Sequence, residues 1–198
     1  MKSLLVLYSY HHNNTEKIAN VFAKVLDAQI KTPQQINSEE LQAYSLIGFG
    51  SGIYGEKHHK FLLDLADKLP QVTNRKAFIF STSAIMGKAK VAKDHSTLRE
   101  KLQSKGYKIV DEFSCKGFNT NSFMKLFGGM NKGRPNAEDL KDAEEFAQNL
   151  KRNLQKKWNK TLGFTNFILV KYIENDQIKA ALEEYSCKQL YAKTMFLN

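Results

Sequence analysis

Hydroxyl and amide side chains stand near the N-terminus, at a junction between two apolar patterns. Residues 4–8 form a continuous apolar run of strand length, and apolar residues recur at helical spacing from Ile18 onward. Between the two patterns lie four small polar side chains, which are Ser9, Asn13, Asn14 and Thr15. The first backbone N–H groups of a helix have no partner within that helix, so such a junction favours an anion, most usefully a phosphate. The alternative is an ordinary helix cap by Asn13 or Asn14 that binds nothing.

Two further apolar segments also end in small or hydroxylated residues. Residues 43–50 lead into Gly50-Ser51-Gly52-Ile53-Tyr54-Gly55, and residues 76–80 lead into Ser81-Thr82-Ser83-Ala84. Glycines permit positive φ and a close approach of the backbone to a ligand. We therefore expect both segments to contribute to a binding site.

Alternating strands and helices are predicted to position these segments. Apolar runs predict five strands, at residues 4–8, 27–30, 43–50, 76–80 and 107–113. Helices are predicted after Thr15, around 61–69, at 96–105 and from Ala137 to about Leu154. This order is typical of a doubly wound α/β fold with a parallel sheet. In such a sheet all three polar segments emerge at the carboxyl edge, where these folds bind ligands.

This combination of segments resembles the flavodoxins over about residues 2–152. The resemblance rests on the polar segment that ends in Asn14-Thr15, on Gly50–Gly55 and on Ser81–Ser83. It implies a flavodoxin-like three-layer α/β/α sandwich with a five-stranded parallel sheet in the order 2-1-3-4-5. It also implies non-covalent binding of FMN at the switch between strands one and three, together with electron transfer.

By the same resemblance, the first segment holds the FMN phosphate and the other two flank the isoalloxazine ring. The implied cofactor-binding residues are Ser9, His11, His12, Asn13, Asn14, Thr15, Ser51, Gly52, Ile53, Tyr54, Ser81, Thr82, Ser83 and Ala84. The carbonyl of the Gly52–Ile53 peptide is expected to turn toward the flavin N5, which tunes a flavin potential. Tyr54 is expected to stack on the ring. We predict no catalytic residue and no metal site, because the paired histidines at 11–12 and 58–59 lack Cys or acidic partners at ligand spacing.

The first segment departs from the usual family pattern, Ser/Thr-x-Thr-Gly-x-Thr. His11, His12 and Asn13 stand where the Thr and Gly fall, and aligning Ser9 requires one extra residue. Asparagine tolerates the left-handed conformation that glycine supplies, so we expect Asn13 to replace the glycine. One of the two histidines is expected to contact the phosphate. Residues 118–127, with three Phe and one Met, are expected to cover the ring, dock a partner or form a small hydrophobic cluster.

The net charge of +10 is concentrated toward the C-terminus. Residues 1–150 hold 21 Lys and Arg against 16 Asp and Glu, and residues 151–198 hold 9 against 4, so each part contributes +5. We predict a flavodoxin-like FMN-binding domain at 1–153 and a basic, partly helical C-terminal extension at 154–198. The extension is expected to pack on its own domain, to form a dimer contact or to lie on a membrane surface.

The leading hypothesis is a cytoplasmic FMN flavoprotein that transfers electrons, an oxidoreductase in the broad sense. Its expected partner is a redox protein or a small electron acceptor, not nucleic acid, and it acts as a monomer or a dimer. No membrane span is predicted, because no apolar run approaches the ~20 residues that one requires. Cys115 and Cys187 are too far apart in sequence to indicate a disulfide framework and are expected to be free thiols in a reducing compartment.

Two alternatives stay open beside that hypothesis. The first is an enzyme on the same fold, either an FMN-dependent NAD(P)H:quinone reductase or a protoporphyrinogen-oxidase-like enzyme, with Tyr54, His58 and His59 lining a substrate pocket. The second is a non-catalytic interaction module that uses a basic tail on nucleic acid or a membrane.

Overall fold

The computed structural model describes residues 2–120 and 128–173, with side chains as far as residue 156. The strands along these residues are β1 (Ser3–Tyr8), β2 (Ala28–Lys31), β3 (Leu46–Tyr54), β4 (Lys57–His58), β5 (Arg75–Ser83) and β6 (Tyr107–Lys116). The helices are α1 (Asn14–Leu26), α2 (Lys60–Lys68), α3 (Lys88–Ser104) and α4 (Ala137–Ile173), and 3-10 turns lie at Pro33–Gln35 and Glu40–Ala43. The part of the chain up to Lys151 packs into one compact unit, which contains all of these strands. The predicted domain boundary after residue 153 stays a prediction.

The sheet has the order β2-β1-β3-β5-β6, with these five strands parallel to their neighbours. This topology confirms the predicted order 2-1-3-4-5 of a flavodoxin-like α/β sandwich. The short strand β4 is an addition that the sequence did not indicate, and it pairs antiparallel with the end of β3. At the carboxyl edge, Ser51 of β3 pairs with Tyr8 of β1 on one side and with Ser81 of β5 on the other. The three predicted binding segments therefore lie side by side.

Aromatic side chains fill the face of the sheet that α1 and α4 cover. Phe22 of α1 and Phe146 of α4 have ring centroids 5.5 Å apart, and both contact Phe78 of β5. Burial of a side chain of this size stabilises the fold by about 1.5–3 kcal/mol. Gly48 of β3 makes room for these rings, because a Cβ there would lie 2.5 Å from the Phe78 ring. The glycine is therefore required by packing against its neighbour in the sheet.

The opposite face is mostly aliphatic and is covered by α2 and α3. Its buried cluster includes Leu4, Val6, Ile47, Phe49, Leu62, Leu98 and Leu102. Leu62 lies on α2 and Leu98 on α3, at the positions where the predicted apolar stripes place them. With helices on both faces, the parallel strands are buried on both sides, which explains their continuous apolar runs.

Several predicted boundaries were wrong. Helix α3 begins at Lys88, eight residues before the predicted start, because its first two turns are rich in lysine and alanine and carry no apolar stripe. Helix α4 starts at Ala137 as predicted but continues to Ile173. The strands β3 and β5 continue through Tyr54 and Ser83, so the predicted binding segments are largely strand and not loop. Residues 121–127 and 174–198, which include most of the predicted aromatic loop and part of the predicted extension, lie outside the described residues.

Candidate functional site

A cleft opens at the carboxyl edge of the sheet and encloses about 470 Å³ of empty space, including solvent at its mouth. Its walls come from the ends of β1, β3, β5 and β6 and from the start of α1. The lining residues are Ser9, Tyr10, His11, Asn14, Thr15, Gly52, Ile53, Tyr54, Thr82, Ser83, Ala84, Gly117, Phe118 and Asn119. Most predicted cofactor residues therefore face one space.

Four predicted cofactor residues do not line the cleft: His12, Asn13, Ser51 and Ser81. Ser51 and Ser81 are buried in the sheet, with 0% and 1% of their surface exposed. His12 contacts Phe118 with ring centroids 4.4 Å apart, and its Nε2 lies 2.9 Å from the Thr120 hydroxyl. Four further residues line the cleft that were not among the predicted cofactor residues, which are Tyr10, Gly117, Phe118 and Asn119. Phe118 and Asn119 belong to the segment 118–127, for which covering the ring was one of three expectations, and the position of Gly117 directly after the fifth strand is a signal that could have added it.

A tight turn connects the end of β1 to the start of α1. His12 and Asn13 both adopt left-handed backbone conformations, with φ of 56° and 52°. The Ser9 hydroxyl accepts a hydrogen bond from the backbone N–H of Glu16 at 3.3 Å. The Asn13 side chain makes no capping hydrogen bond to the helix. Asn13 therefore serves the turn through its backbone, as predicted for a glycine replacement, and not as a side-chain cap.

A buried pair of threonines joins α1 to β5 at the floor of the cleft. The Thr15 and Thr82 hydroxyls are 2.8 Å apart, and 2% and 4% of these residues is exposed. One hydroxyl donates to the other, so the acceptor of that bond keeps its own proton for a further partner. The cleft therefore holds at least one hydroxyl donor that the Thr15–Thr82 bond leaves uncommitted.

Asn14 presents an acceptor without a partner in the protein. Its Nδ2 donates to the Phe118 carbonyl at 2.7 Å, whereas its buried Oδ1 has no hydrogen-bond partner. A buried polar atom left unpaired costs about 1–3 kcal/mol, so a donor from a ligand or a water is expected at this point. A Cβ on Gly117 would lie 3.0 Å from the Asn14 amide nitrogen and 3.2 Å from the Thr82 Cβ. Only a glycine at 117 leaves this corner of the cleft open without displacing its neighbours.

The segment after β6 is tied to the cleft by backbone hydrogen bonds. Asn119 and Met130 form an isolated antiparallel bridge, with N–O distances of 3.0 and 2.8 Å. The Asn131 side chain donates to the Ala84 carbonyl at 2.8 Å, and the Gly117 N–H donates to the Ser83 carbonyl at 2.9 Å. These bonds fix one wall of the cleft against the end of β5.

Tyr54 forms another wall, at the end of β3. A Cβ on Gly52 would lie 3.1 Å from the Tyr54 ring, so the ring lies over the glycine. The ring also meets the His59 ring edge-on, with centroids 5.2 Å apart. Burial raises the pKa of the Tyr54 hydroxyl, so it stays protonated at neutral pH. Tyr54 also lines a neighbouring groove with His58 and His59, and those two histidines do not line the cleft.

A chain of polar side chains lies behind the cleft, at the end of β5; Ser81 and His95 are buried, and Glu112 and Arg99 are partly exposed. The Ser81 hydroxyl is 2.8 Å from His95 Nε2, and His95 Nδ1 is 2.9 Å from a Glu112 carboxyl oxygen. Arg99 donates to both Glu112 oxygens, at 2.5 and 2.8 Å. Although burial opposes ionisation, the hydrogen bonds from Arg99 and His95 hold the pKa of Glu112 at about 2. The order Ser-His-Glu is that of a hydrolase triad, but the serine is 1% exposed and lies outside the cleft, so this chain is structural.

The remaining sequence features can also be placed. Cys115 is a buried free thiol, as predicted, and burial raises its pKa to about 12. Within residues 2–120 and 128–173, no three His, Cys, Asp or Glu side chains come together as metal ligands would. None of the helices in that same part of the chain has the length and apolar character to cross a bilayer.

The parallel sheet and its carboxyl-edge cleft define a doubly wound α/β protein of the flavodoxin-like type. A family profile described as "Flavodoxin domain" matches residues 5–122, and the chain therefore belongs to the flavodoxin family. An uncharacterized protein of Methanocaldococcus jannaschii is 47% identical over 153 residues, which are 77% of this chain and 100% of that protein.

Solved structures agree with the fold. A flavodoxin of Streptococcus pneumoniae TIGR4 matches with a TM-score of 0.59 and 14% identity, over 77% of this chain and 99% of that one. Oxidised flavodoxin 2 of Bacillus cereus matches with a TM-score of 0.56 and 19% identity, over 74% of this chain and 95% of that one. At these identities the likeness establishes the fold alone.

Proposed function

We propose that this protein binds FMN in the carboxyl-edge cleft and carries electrons between redox partners. The observation that carries the proposal is the convergence, in one cleft, of an uncapped helix start, the Thr15–Thr82 hydroxyl pair and the unpaired Asn14 Oδ1. When bound, FMN accepts and releases electrons one or two at a time, which no side chain of the cleft can do.

The donor set fits the phosphate end of FMN. The first-turn amides of α1 and the positive end of its dipole favour an anion, and the Thr15–Thr82 pair offers a hydroxyl proton. Among the described residues no Lys or Arg lines the cleft, so neutral donors carry the phosphate charge, with the His11 side chain beside them. Ser9 acts indirectly, because its hydroxyl accepts from the Glu16 amide and stabilises the turn.

The remaining side chains of the cleft, including a hydrogen-bond acceptor, suit the ribityl chain and the isoalloxazine ring of FMN. An unpaired amide oxygen such as Asn14 Oδ1 repels a phosphate oxygen but accepts from a ribityl hydroxyl. Gly52, Ile53 and Tyr54 on one side and Thr82, Ser83 and Ala84 on the other then border the ring. Because the Tyr54 ring lies over Gly52, we propose that it contacts the isoalloxazine or moves aside to admit it.

The proposed partner is an acidic redox protein. Tyr10, which lines the cleft, and Ile85, which follows the cleft residue Ala84, are 70% and 59% exposed and provide apolar docking area. Exposed lysines at 57 and 88 lie three and four residues after the cleft residues Tyr54 and Ala84. A basic rim attracts an acidic partner, so the association rate should fall as salt is raised. We place this carrier in the cytoplasm, because a free thiol such as Cys115 suits a reducing compartment.

The absorbance spectrum of the purified protein tests the proposal first. A yellow protein, or a colourless one that acquires flavin bands and quenches flavin fluorescence when FMN is added, supports it. A protein that stays colourless and leaves FMN fluorescence unchanged rejects FMN binding and favours the non-catalytic interaction module. NADH or NADPH oxidation that depends on an added quinone would favour the reductase, for which the groove beside Tyr54 is the candidate substrate site.

The substitution Thr15→Val tests the phosphate assignment. It removes one hydroxyl donor and should weaken FMN binding by about 1.5–3 kcal/mol, the range for a hydrogen bond to a charged group. Fluorescence-quenching titration measures the change. Thr73→Val is the matched control, because Thr73 is exposed and precedes β5 at the opposite edge of the sheet. Equal affinities for the two variants would contradict the assignment.

A further inference from the structure

The Ser51 hydroxyl lies at the centre of three hydrogen-bond partners at the end of β3. It is 2.9 Å from the Gly52 carbonyl oxygen, 2.9 Å from His58 Nδ1, and 2.9 Å from the backbone nitrogen of His59, whose N–H donates to it. Ser51 is 0% exposed and His58 is 2% exposed, so water does not replace any of these partners. Gly52 lines the cleft, which makes this cluster the direct support of a cleft residue.

Counting protons leaves two arrangements. A hydroxyl has one proton and two lone pairs, and the His59 N–H occupies one lone pair of Ser51. If Ser51 donates to the Gly52 carbonyl, His58 must donate from Nδ1 and its Nε2 is a bare acceptor. If His58 instead carries its proton on Nε2, Nδ1 takes the Ser51 proton and the Gly52 carbonyl loses the Ser51 donor. Which nitrogen of His58 carries the proton therefore decides whether Ser51 donates a hydrogen bond to the Gly52 carbonyl.

We propose that Ser51 and His58 are positioning residues that hold the Gly52 carbonyl: His58 Nδ1–H donates to Ser51, and Ser51 donates to the carbonyl. The arrangement in the structure supports this, because the Ser51 hydroxyl has donor geometry toward the Gly52 oxygen. His58 Nε2 has no hydrogen-bond partner, which fits a bare nitrogen better than an N–H that needs an acceptor. Burial and the neighbouring His95 lower the pKa of His58 well below its usual 6.5, so the ring is neutral and one nitrogen lacks a proton.

The consequence for the cleft rests on the proposed FMN binding. The Gly52–Ile53 peptide borders the proposed ring position, and a carbonyl bonded to a buried hydroxyl is directed away from a ligand until that bond is released. The Ser51 hydrogen bond therefore opposes a turn of the carbonyl toward the ligand and sets the balance between oxidised and reduced FMN. His58 acts through Ser51 and touches neither the cleft nor its ligand.

Nuclear magnetic resonance on the flavin-free protein tests the first half of the inference. Long-range ¹H–¹⁵N correlations of labelled histidine distinguish the two neutral tautomers. Protonation of His58 at Nδ1 is the expected result, and protonation at Nε2 overturns the proposal. This measurement needs neither FMN nor a variant, so it stands even where a substitution prevents folding.

The substitution Ser51→Ala tests the second half, with Ser81→Ala as the matched control. Both serines are buried, pair with each other across β3 and β5, and contact a histidine, but only Ser51 bonds a cleft carbonyl. Without flavin, the Gly52 carbonyl ¹³C resonance should move upfield in Ser51→Ala and stay in place in Ser81→Ala. A resonance that moves equally in both, or in neither, overturns the proposal.

Reductive titration of the FMN-loaded variants gives the functional readout. Ser51→Ala should change the ratio of affinities for reduced and oxidised FMN about two- to tenfold in favour of reduced FMN, the worth of one neutral hydrogen bond, and Ser81→Ala should not. An unchanged ratio in Ser51→Ala rejects the role of Ser51 in the cleft. Failure of the wild-type protein to bind FMN instead rejects the proposed function, while the resonances of Gly52 and His58 still decide the hydrogen-bond arrangement.

Discussion

The ends of β3 and β5 are built from the same parts but differ in how completely their polar groups are paired. Each end has a buried serine that contacts a buried histidine, Ser51 with His58 and Ser81 with His95. Both nitrogens of His95 have partners, and the last of these, Glu112, is held by Arg99. His58 has one partner and one unpaired nitrogen, although the two rings are only 5.0 Å apart.

This difference separates a scaffold from an adjustable element. A fully paired buried network is rigid, because every rearrangement breaks a hydrogen bond that water cannot replace. The half-paired cluster at β3 has two arrangements, one with three hydrogen bonds at the Ser51 hydroxyl and one with two, and it borders Gly52 in the cleft. The end of β5 therefore stays in place while the hydrogen bonds at the end of β3 can rearrange.

The largest difference in stability between the two strand ends should follow from replacing each histidine by leucine. His95→Leu takes one hydrogen bond from the Ser81 hydroxyl, which keeps Ser114, and one from the Glu112 carboxylate, which keeps Arg99, so we expect a loss of about 1–3 kcal/mol in unfolding free energy. His58→Leu removes an already unpaired nitrogen, and Ser51 keeps two partners, so the loss should stay below about 1 kcal/mol. Urea unfolding at pH 7 measures both. Equal losses would show that the two clusters are equivalent.

The layout of the fold was predictable because its signals are local. Continuous apolar runs indicated the five parallel strands, and the resemblance to the flavodoxins supplied their order. The polar segments after the first, third and fourth predicted strands also met where a parallel sheet must bring them. The start of α3 at Lys88 was not predictable in this way, because its first turns lie on the surface and carry no apolar periodicity.

The interior of the site was less predictable because its partners are distant in sequence. Ser51 and Ser81 are hydroxylated residues at the right strand ends, yet their side chains contact histidines and do not line the cleft. The Asn14 side chain donates a hydrogen bond to the Phe118 carbonyl, 104 residues away in sequence, and no local sequence pattern indicates that contact. Which face of a strand end a serine occupies depends on the alternation of the strand, and the strands extended further than the apolar runs indicated.

The substitution Glu112→Gln should reveal the charge that anchors the β5 network. The folded-state pKa of about 2 lies below the usual 4.5, so the carboxylate stabilises the protein above pH 4.5 and this contribution is lost as pH falls from 4.5 toward 2. We expect Glu112→Gln to cost about 1.5–3 kcal/mol at pH 7 and progressively less below pH 4.5. Urea unfolding across this pH range measures the change.

Glu56→Gln is the matched control for that series. Glu56 also pairs with a cation, Lys93, but both side chains are about half exposed or more. Exposed ion pairs contribute little, so the urea midpoint of Glu56→Gln should stay close to that of the wild type. A loss for Glu112→Gln that did not exceed the control would reject the anchoring role of Glu112.

Acidification should affect the β3 cluster in a separate and higher pH window. Burial lowers the pKa of His58 in the folded protein, so the unfolded chain binds more protons below about pH 6.5 and the folded state loses stability as pH falls through that value. The slope for one group is at most about 1.4 kcal/mol per pH unit. His58→Leu should flatten the wild-type loss between pH 7 and 5, whereas Glu112→Gln should leave it unchanged. A wild-type slope that persists in His58→Leu would mean that another group, and not the unpaired histidine, takes up the proton.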